Sequence, residues 1–185
     1  MSKGKYPVHM PTGNIVGPAV DLTYEDRWKI ATNAWRNTFF YSVDHVGKAI
    51  GWEKASEVMG NMFTEFYPAA HFGLKKLYKI EGNTPAAIAK VHAVELKVEG
   101  FDYDVKEASD KRSVVVATLC PWYQDMKDRH AEALANVDLE KLVCGPGCVW
   151  GYQEFVKALD PKLVARWPKW VHNGDGVCEF VVEYE

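Results

Sequence analysis

The sequence predicts an α+β fold, with N-terminal helices packed on a small antiparallel sheet of about four strands. Three observations predict it. Apolar residues recur at helical spacing through the first half of the chain. From Phe101 the pattern changes to strand-like alternation and β-branched runs, and short segments rich in Gly, Asn, Asp and Ser separate those runs. A length of 185 residues, 48% hydrophobic and 25% charged, suits one domain with a real core. That domain is expected over 21–185. It follows an extended arm over 1–20 punctuated by Pro and Gly, as in Met10-Pro11-Thr12-Gly13 and Gly17-Pro18. The arm is expected to lie across the domain or across a partner subunit, the second arrangement making a homo-oligomer.

The first helix starts at Thr23, whose side chain can cap it with Asp26 three residues on. Trp28, Ala31, Trp35, Phe39, Val43 and Val46 form its apolar stripe, and Gly47 and Gly51 weaken or end it. A second helical pattern runs from Trp52 through Val58, Met62 and Phe66 to Leu77 and Tyr78, with Pro68 expected to kink or split it. Thr84 and Pro85 announce a third helix as cap and first helical residue, with Ile88, Val91, Val94 (or Leu96) and Val98 as its stripe. Phe101, Tyr103 and Val105 alternate with Asp102, Asp104 and Lys106 as in a half-buried strand. Ser109-Asp110-Lys111 then turns the chain into the apolar strand ending at Cys120. Pro121 opens a helix to about 136, and Cys144-Gly145-Pro146-Gly147-Cys148 reads as a sharp loop before another short helix. Two further strands, over 163–170 and 176–185, flank the turn His172-Asn173-Gly174-Asp175. On the last strand Cys178, Phe180, Val182 and Tyr184 share one face.

The net charge of −3 and the lack of any Lys/Arg block exclude a phosphate-binding stripe, so neither nucleic acid nor an anionic membrane is expected as partner. No apolar run is long enough to span a bilayer. The N-terminal lysines precede no apolar core of a signal peptide, so a cytoplasmic protein is expected. In that setting Cys120, Cys144, Cys148 and Cys178 are read as reduced thiols: buried core, catalytic groups or metal ligands.

Taken together, Leu119-Cys120-Pro121-Trp122, Leu142-Val143-Cys144 with Cys148 four residues on, and the closing Gly174-Asp175-Gly176-Val177-Cys178-Glu179-Phe180 form a pattern. It resembles the L-2-amino-thiazoline-4-carboxylic acid hydrolase family. The closing Gly-Asp-x-x-Cys-x-Phe is also similar to the end of 4-vinyl reductase-type small-molecule-binding domains. The likeness covers the last third of the chain closely and the helical part in general layout. It implies a cytoplasmic protein acting on a small ring compound, opening a cyclic C=N bond with water, and it implies no cofactor. The sequence departs from that pattern at one place. Relatives often carry an Asp a few residues after the position of Cys148; here Val149-Trp150-Gly151-Tyr152 intervenes and Glu154 is the nearest acid.

Cys120 is the first choice for a nucleophile. It ends a strand at a helix start, where free N–H groups and the helix dipole would stabilise a thiolate able to add to a C=N carbon. It can equally be a small apolar residue filling a strand end. Cys144 and Cys148 bracket two glycines. They are read as pocket-lining or catalytic thiols, as structural thiols, or as ligands of a zinc or iron–sulfur site, although Cys-x3-Cys is not the usual ligand spacing. Cys178 reads as core. For a base, His71 beside the expected kink is the candidate, or a satisfied core histidine. His130 is about two and a half turns from Cys120, and His45 and His92 read as surface or half-buried. Asp125 and Glu154 are the acids near the cysteine motifs. Trp122, Trp150 and Tyr152 would stack a flat ring in an apolar cavity, or simply fill core. The alternatives to hydrolysis are a binding domain for a hydrophobic or tetrapyrrole-like ligand, with His71 as axial ligand, and a cysteine-ligated metal protein.

Overall fold

A computed structural model describes residues 23–185, so the expected N-terminal arm lies outside the described residues. Helix α1 (Tyr24–Ile50) opens on a capping box: the Asp26 N–H donates to Thr23 Oγ1 and the Thr23 N–H donates to Asp26 Oδ2. Its buried residues are Arg36, Phe39, Phe40, Val43 and Gly47. Gly47 does not end it; the helix continues to Ile50, and the Trp52 ring lies where a side chain at 47 would be. The stop comes at Gly51, whose φ of 89° breaks the helical path. Helix α2 (Trp52–Leu77) contains Pro68 without being divided by it. Helix α3 (Pro85–Glu99) carries the expected Thr84 cap and ends at Gly100, in the left-handed region at φ 85°.

Strands β1 (Asp102–Ala108) and β2 (Arg112–Leu119) form the expected hairpin, whose turn is closed by the Arg112 N–H donating to Ser109 Oγ. With β3 (Leu163–Lys169) and β4 (Cys178–Tyr184) they make an antiparallel sheet in the order β1-β2-β4-β3. Ala117 stands opposite Cys178 and Val115 opposite Phe180. This inner face is covered by α3, while Leu163, Ala165 and Val182 lie against the later helix α7. The α+β expectation therefore holds, with seven α-helices and four strands among the described residues.

Two stretches between the hairpins differ from expectation. The helix from Pro121 breaks at His130 into α4 (Pro121–Arg129) and α5 (Ala131–Asn136). His130 is buried against Phe40 and Tyr41 with Nδ1 3.0 Å from Asp44 Oδ2, and that anchoring to α1 fixes it at φ −131°, outside the helical range. After α6 (Leu139–Leu142), the expected Cys-Gly-Pro-Gly-Cys loop is instead a π-helical segment, Cys144–Gly151, running into α7 (Tyr152–Leu159). Its glycines permit close approach. A Cβ on Gly145 would stand 1.8 Å from the Glu140 carbonyl oxygen, and one on Gly147 would press on the Tyr67 ring at 3.1 Å. Wide turns of this kind concentrate at functional sites.

Three apolar clusters result: a helical one around Phe40, Phe63, Tyr67 and Trp122; a second around Ile88, Tyr152, Phe155 and Leu163; and a third around Leu96, Val115, Cys178 and Phe180. Fully buried side chains such as Phe155 and Ile88 stabilise the fold by about 1.5–3 kcal/mol each. Residues from all three clusters line one cavity.

Candidate functional site

The cavity gathers all four cysteines, together with His71 from α2, His92, Glu95 and Glu99 from α3, and His172 from a 3-10 turn (Val171–Asn173) after β3. The rings of Tyr67, Trp122, Tyr152, Trp170 and Phe180 and apolar residues such as Leu96, Met126 and Val143 complete the wall. About 40 Å3 is open to the centres of water molecules, room for about three waters by the usual need of each. Leu139 and His172 also line a shallow surface groove with Asp138, Glu140 and Asn173, so they form the wall between cavity and solvent.

Helix α3 turns its chemistry inward through a simple spacing. Ile88, His92, Glu95 and Glu99 follow one another at intervals of four, three and four, which keeps them on one helical face. His71 Nε2 lies 2.7 Å from Glu95 Oε2, and His71 Nδ1 lies 2.7 Å from the Tyr67 carbonyl oxygen. A carbonyl only accepts, so Nδ1 must donate, and the contact with Glu95 then holds one shared proton. Burial disfavours a charged ring, but attraction to Glu95 and the hydrogen bonds to Glu95 and Tyr67 outweigh it and raise the His71 pKa. Burial likewise opposes the Glu95 charge, and the His71 attraction wins, lowering the carboxyl. The pair is an imidazolium with a carboxylate.

Glu99 behaves differently. Trp122 Nε1–H donates to its Oε2 at 2.8 Å, yet burial and then the neighbouring Glu95 charge push its pKa up to about 7. His92 is 3% exposed, and burial drives its pKa down to about 4, so it is a neutral ring. It packs between Tyr152 and Phe180, with neither nitrogen partnered among the described residues.

Cys120 is the N-cap of α4, and the Tyr123 N–H donates to its sulfur at 3.5 Å. The position expected from sequence is met, but a thiolate there is not: burial outweighs the helix N–H groups and pushes the thiol up to about 12. Burial also raises Cys144 and Cys148 well above the usual thiol range, with the neighbouring thiols adding to it. Cys144 differs in having a base beside it, His172 Nδ1 at 3.5 Å; burial lowers the His172 pKa, so the pair is a neutral thiol and a neutral imidazole. Cys178 is buried in the core as expected, its sulfur accepting the Val171 N–H, and it lines the cavity as well.

Of the residues singled out from sequence, the fold brings Cys120, Cys144, Cys148, His71, Trp122 and Tyr152 into the cavity and leaves out Glu154 and Trp150. On α7, Tyr152, Phe155 and Val156 face inward, so Glu154 falls on the exposed side of the same turn. Trp150 covers Gly145 from outside and is 46% exposed. Both nitrogens of His71 are engaged, so as an axial haem ligand it would first have to give up Glu95. His45 is exposed as expected; His92 is not. Asp125 is a buried partner of Arg36. Among the described residues no group of three or more His, Cys, Asp or Glu is gathered to hold a metal ion.

No family model matches the sequence, and no curated protein matches it. Among solved structures, the chain is similar to a trafficking protein particle complex subunit 3 from Naegleria fowleri, a protein covalently bound to palmitic acid. The TM-score is 0.53 and the identity 15%, over 85% of this chain and 96% of that chain. The likeness is one of fold. Helix-on-sheet architecture is shared at an identity too low to transfer a site. No described helix is long and apolar enough to cross a membrane.

Proposed function

We propose that the cavity takes a small ring compound and opens it with water, as a hydrolase of the thiazoline-carboxylate type does on a cyclic amidine. The observation that supports this most is the convergence of thiols, imidazoles and carboxylates on one aromatic cavity, whose wall at Leu139 and His172 also faces a surface groove. Cys144, rather than Cys120, is the nucleophile in this reading, because among the described residues it is the cysteine with a basic nitrogen beside its sulfur.

The Cys144 proton passes to His172 as sulfur bonds the amidine carbon, and the C=N π pair moves to nitrogen. The adduct collapses with cleavage of a ring bond, and the departing ring atom takes the proton from His172. Water then adds to the same carbon, giving one proton to the Glu99 carboxylate. Finally the sulfur leaves and recovers its proton from the new hydroxyl as the carbonyl forms. One water is consumed, one ring bond is broken, and the proton brought by the amidinium leaves through Glu99. A carboxyl with a pKa of about 7 suits that exchange.

Four free thiols support a reducing, cytoplasmic setting. Val58, Met62 and Phe66, exposed at four-residue intervals on α2, support assembly with a second copy. The direct test is incubation of purified protein with 2-aminothiazoline-4-carboxylate, followed by mass spectrometry for a product heavier by one water. Turnover that vanishes in Cys144→Ala supports the reading; no turnover by the intact protein, or full activity of Cys144→Ala, removes it.

One observation favours a second reading. The cavity combines apolar walls with free thiols, and the trafficking subunit of similar fold holds palmitic acid covalently. An acyl thioester on a cavity thiol would appear as a hydroxylamine-sensitive mass increase.

A further inference from the structure

The two sides of helix α2 differ in what they touch. Its inner side carries Phe63, Tyr67 and His71, all buried. On its outer side Val58, Met62, Phe66, Ala69, Gly73 and Leu77 follow one another at intervals of four, four, three, four and four. That spacing holds them on one stripe about 28 Å long. All six are exposed, Phe66 by 56% and Leu77 by 71%. At Gly73 the space is open: beyond its own helical turn, nothing among the described residues stands within 4 Å of where a side chain would begin. An apolar stripe of this length marks a contact surface.

The order of sizes along the stripe points to its cover. In a two-fold contact residue i meets j and j meets i, so on two antiparallel helices the numbers of facing residues share one sum. We propose that two copies of this chain pair through α2, antiparallel about an axis whose midpoint lies between positions 67 and 68. Val58 then faces Leu77, Met62 faces Gly73 and Phe66 faces Ala69, each pair summing to 135, and the spacing is the same from either end. Two of these pairings set a large side chain against a small one. Met62 enters the space open at Gly73 and Phe66 lies over Ala69, so the helix axes come close. A parallel pair in register would instead set Phe66 on Phe66 and Gly73 on Gly73, ring against ring and gap against gap. Charge agrees with the antiparallel arrangement. Glu53, Glu57 and Glu65 stand in the first half of the helix with Lys54 as its one cation, while Lys75 and Lys76 stand in the second half with no acid. Antiparallel copies lay the acidic half on the basic half. Such exposed charges fix orientation more than strength. This inference rests on the assembly with a second copy proposed above, and goes beyond it by fixing the face, the direction and the register.

The experiment combines sedimentation of the full chain with cross-linking of cysteine variants by copper–phenanthroline. The expected mass is twice 20.9 kDa. Phe66→Glu, at an exposed position that the fold does not need, should raise the dissociation constant roughly thirtyfold or more while melting as the parent does. Met62→Cys mixed with Gly73→Cys should give a cross-linked dimer. Met62→Cys alone should give no more than the parent chain with its own four thiols, because the two copies of position 62 stand about 16 Å apart along the seam. Cross-linking of Met62→Cys to itself, or none in the mixture, overturns the register. A dimer that Phe66→Glu leaves intact overturns the seam while leaving the assembly standing, and a monomer at every concentration removes both. If deleting residues 1–20, and not Phe66→Glu, dissolves the dimer, the N-terminal arm makes the contact and the proposal falls.

Discussion

Two clusters of buried polar groups sit at the C-terminal half of α3, and they are completed to different degrees. At the helix end, Arg36 is held by Asp125, Asn33 and the Glu99 carbonyl, while Arg129 reaches the other Asp125 oxygen at 3.3 Å. Each of the guanidinium's three nitrogens has an acceptor, and the network ties α1 to α3 and α4. On the cavity side of the same helix, among the described residues, His92 makes no hydrogen bond, Glu95 Oε2 standing 3.9 Å from its Nδ1, and Glu99 accepts one. A completed network makes a fold specific; an incomplete one is a cost that the fold alone does not explain. The difference separates structural charge from functional charge better than residue type does, since a Glu, a His or an Asp could belong to either cluster.

The largest effect should come from breaking the completed cluster. Arg36→Met leaves Asp125 buried with only the longer Arg129 contact, and should destabilise the protein by about 3 kcal/mol. Chemical denaturation would show a lower midpoint at unchanged slope. A loss below about 0.5 kcal/mol would mean that Asp125 is solvated after all.

Disturbing the incomplete cluster should have the opposite sign. Glu99 is held up at about 7 from its ordinary 4.5, so between those values the unfolded chain has released its proton while the folded chain keeps it. Stability from this group therefore falls as pH rises through that window. His92, held down at about 4 from 6.5, works the other way, and its contribution rises with pH over its own window. Glu99→Gln removes the first effect alone. Above about pH 7 it should stabilise the protein by about 1–2 kcal/mol, a value reduced for the partial exposure of Glu99, or a few degrees in melting temperature. Near pH 4 it should do almost nothing. A destabilised Glu99→Gln at the higher pH would place Glu99 in the structural class.

The smallest effect belongs to an acid outside both clusters. Glu154→Gln, on the exposed face of α7, should shift stability by less than about 0.5 kcal/mol and leave ring opening unchanged. Loss of activity in that variant would restore it to the site.

What the sequence disclosed follows the same division. The Thr23–Asp26 box, the Thr84-Pro85 start and the Ser109 turn are local, their partners lying within a few residues, and each formed as read. The inward cysteines on β4 and before α4 were legible from strand alternation and from the proline after Cys120. The break at His130 was not, because its cause is Asp44, distant in sequence. Nor was the π segment, whose glycines are explained by the Glu140 carbonyl and the Tyr67 ring pressing on them. Glu154 looked catalytic by proximity to Cys148 in the chain, but α7 carries it to the outer face. The signal that was overlooked was available: His92, Glu95 and Glu99 continue the face begun by Ile88, where an ordinary core helix would carry apolar residues. Ile88, Val91 and Leu96 of the expected stripe are buried, and only its continuation to Val98, 40% exposed, departs from the structure.

The most direct test of the central claim is a carboxyl-carbon NMR titration of Glu99, with and without saturating 2-aminothiazoline. An amidinium taken up beside Glu99 predicts a midpoint near 7 in the empty protein, falling by about one unit or more when the cation is bound. A midpoint in the ordinary carboxylate range without ligand, or one that the cation does not move, would contradict it.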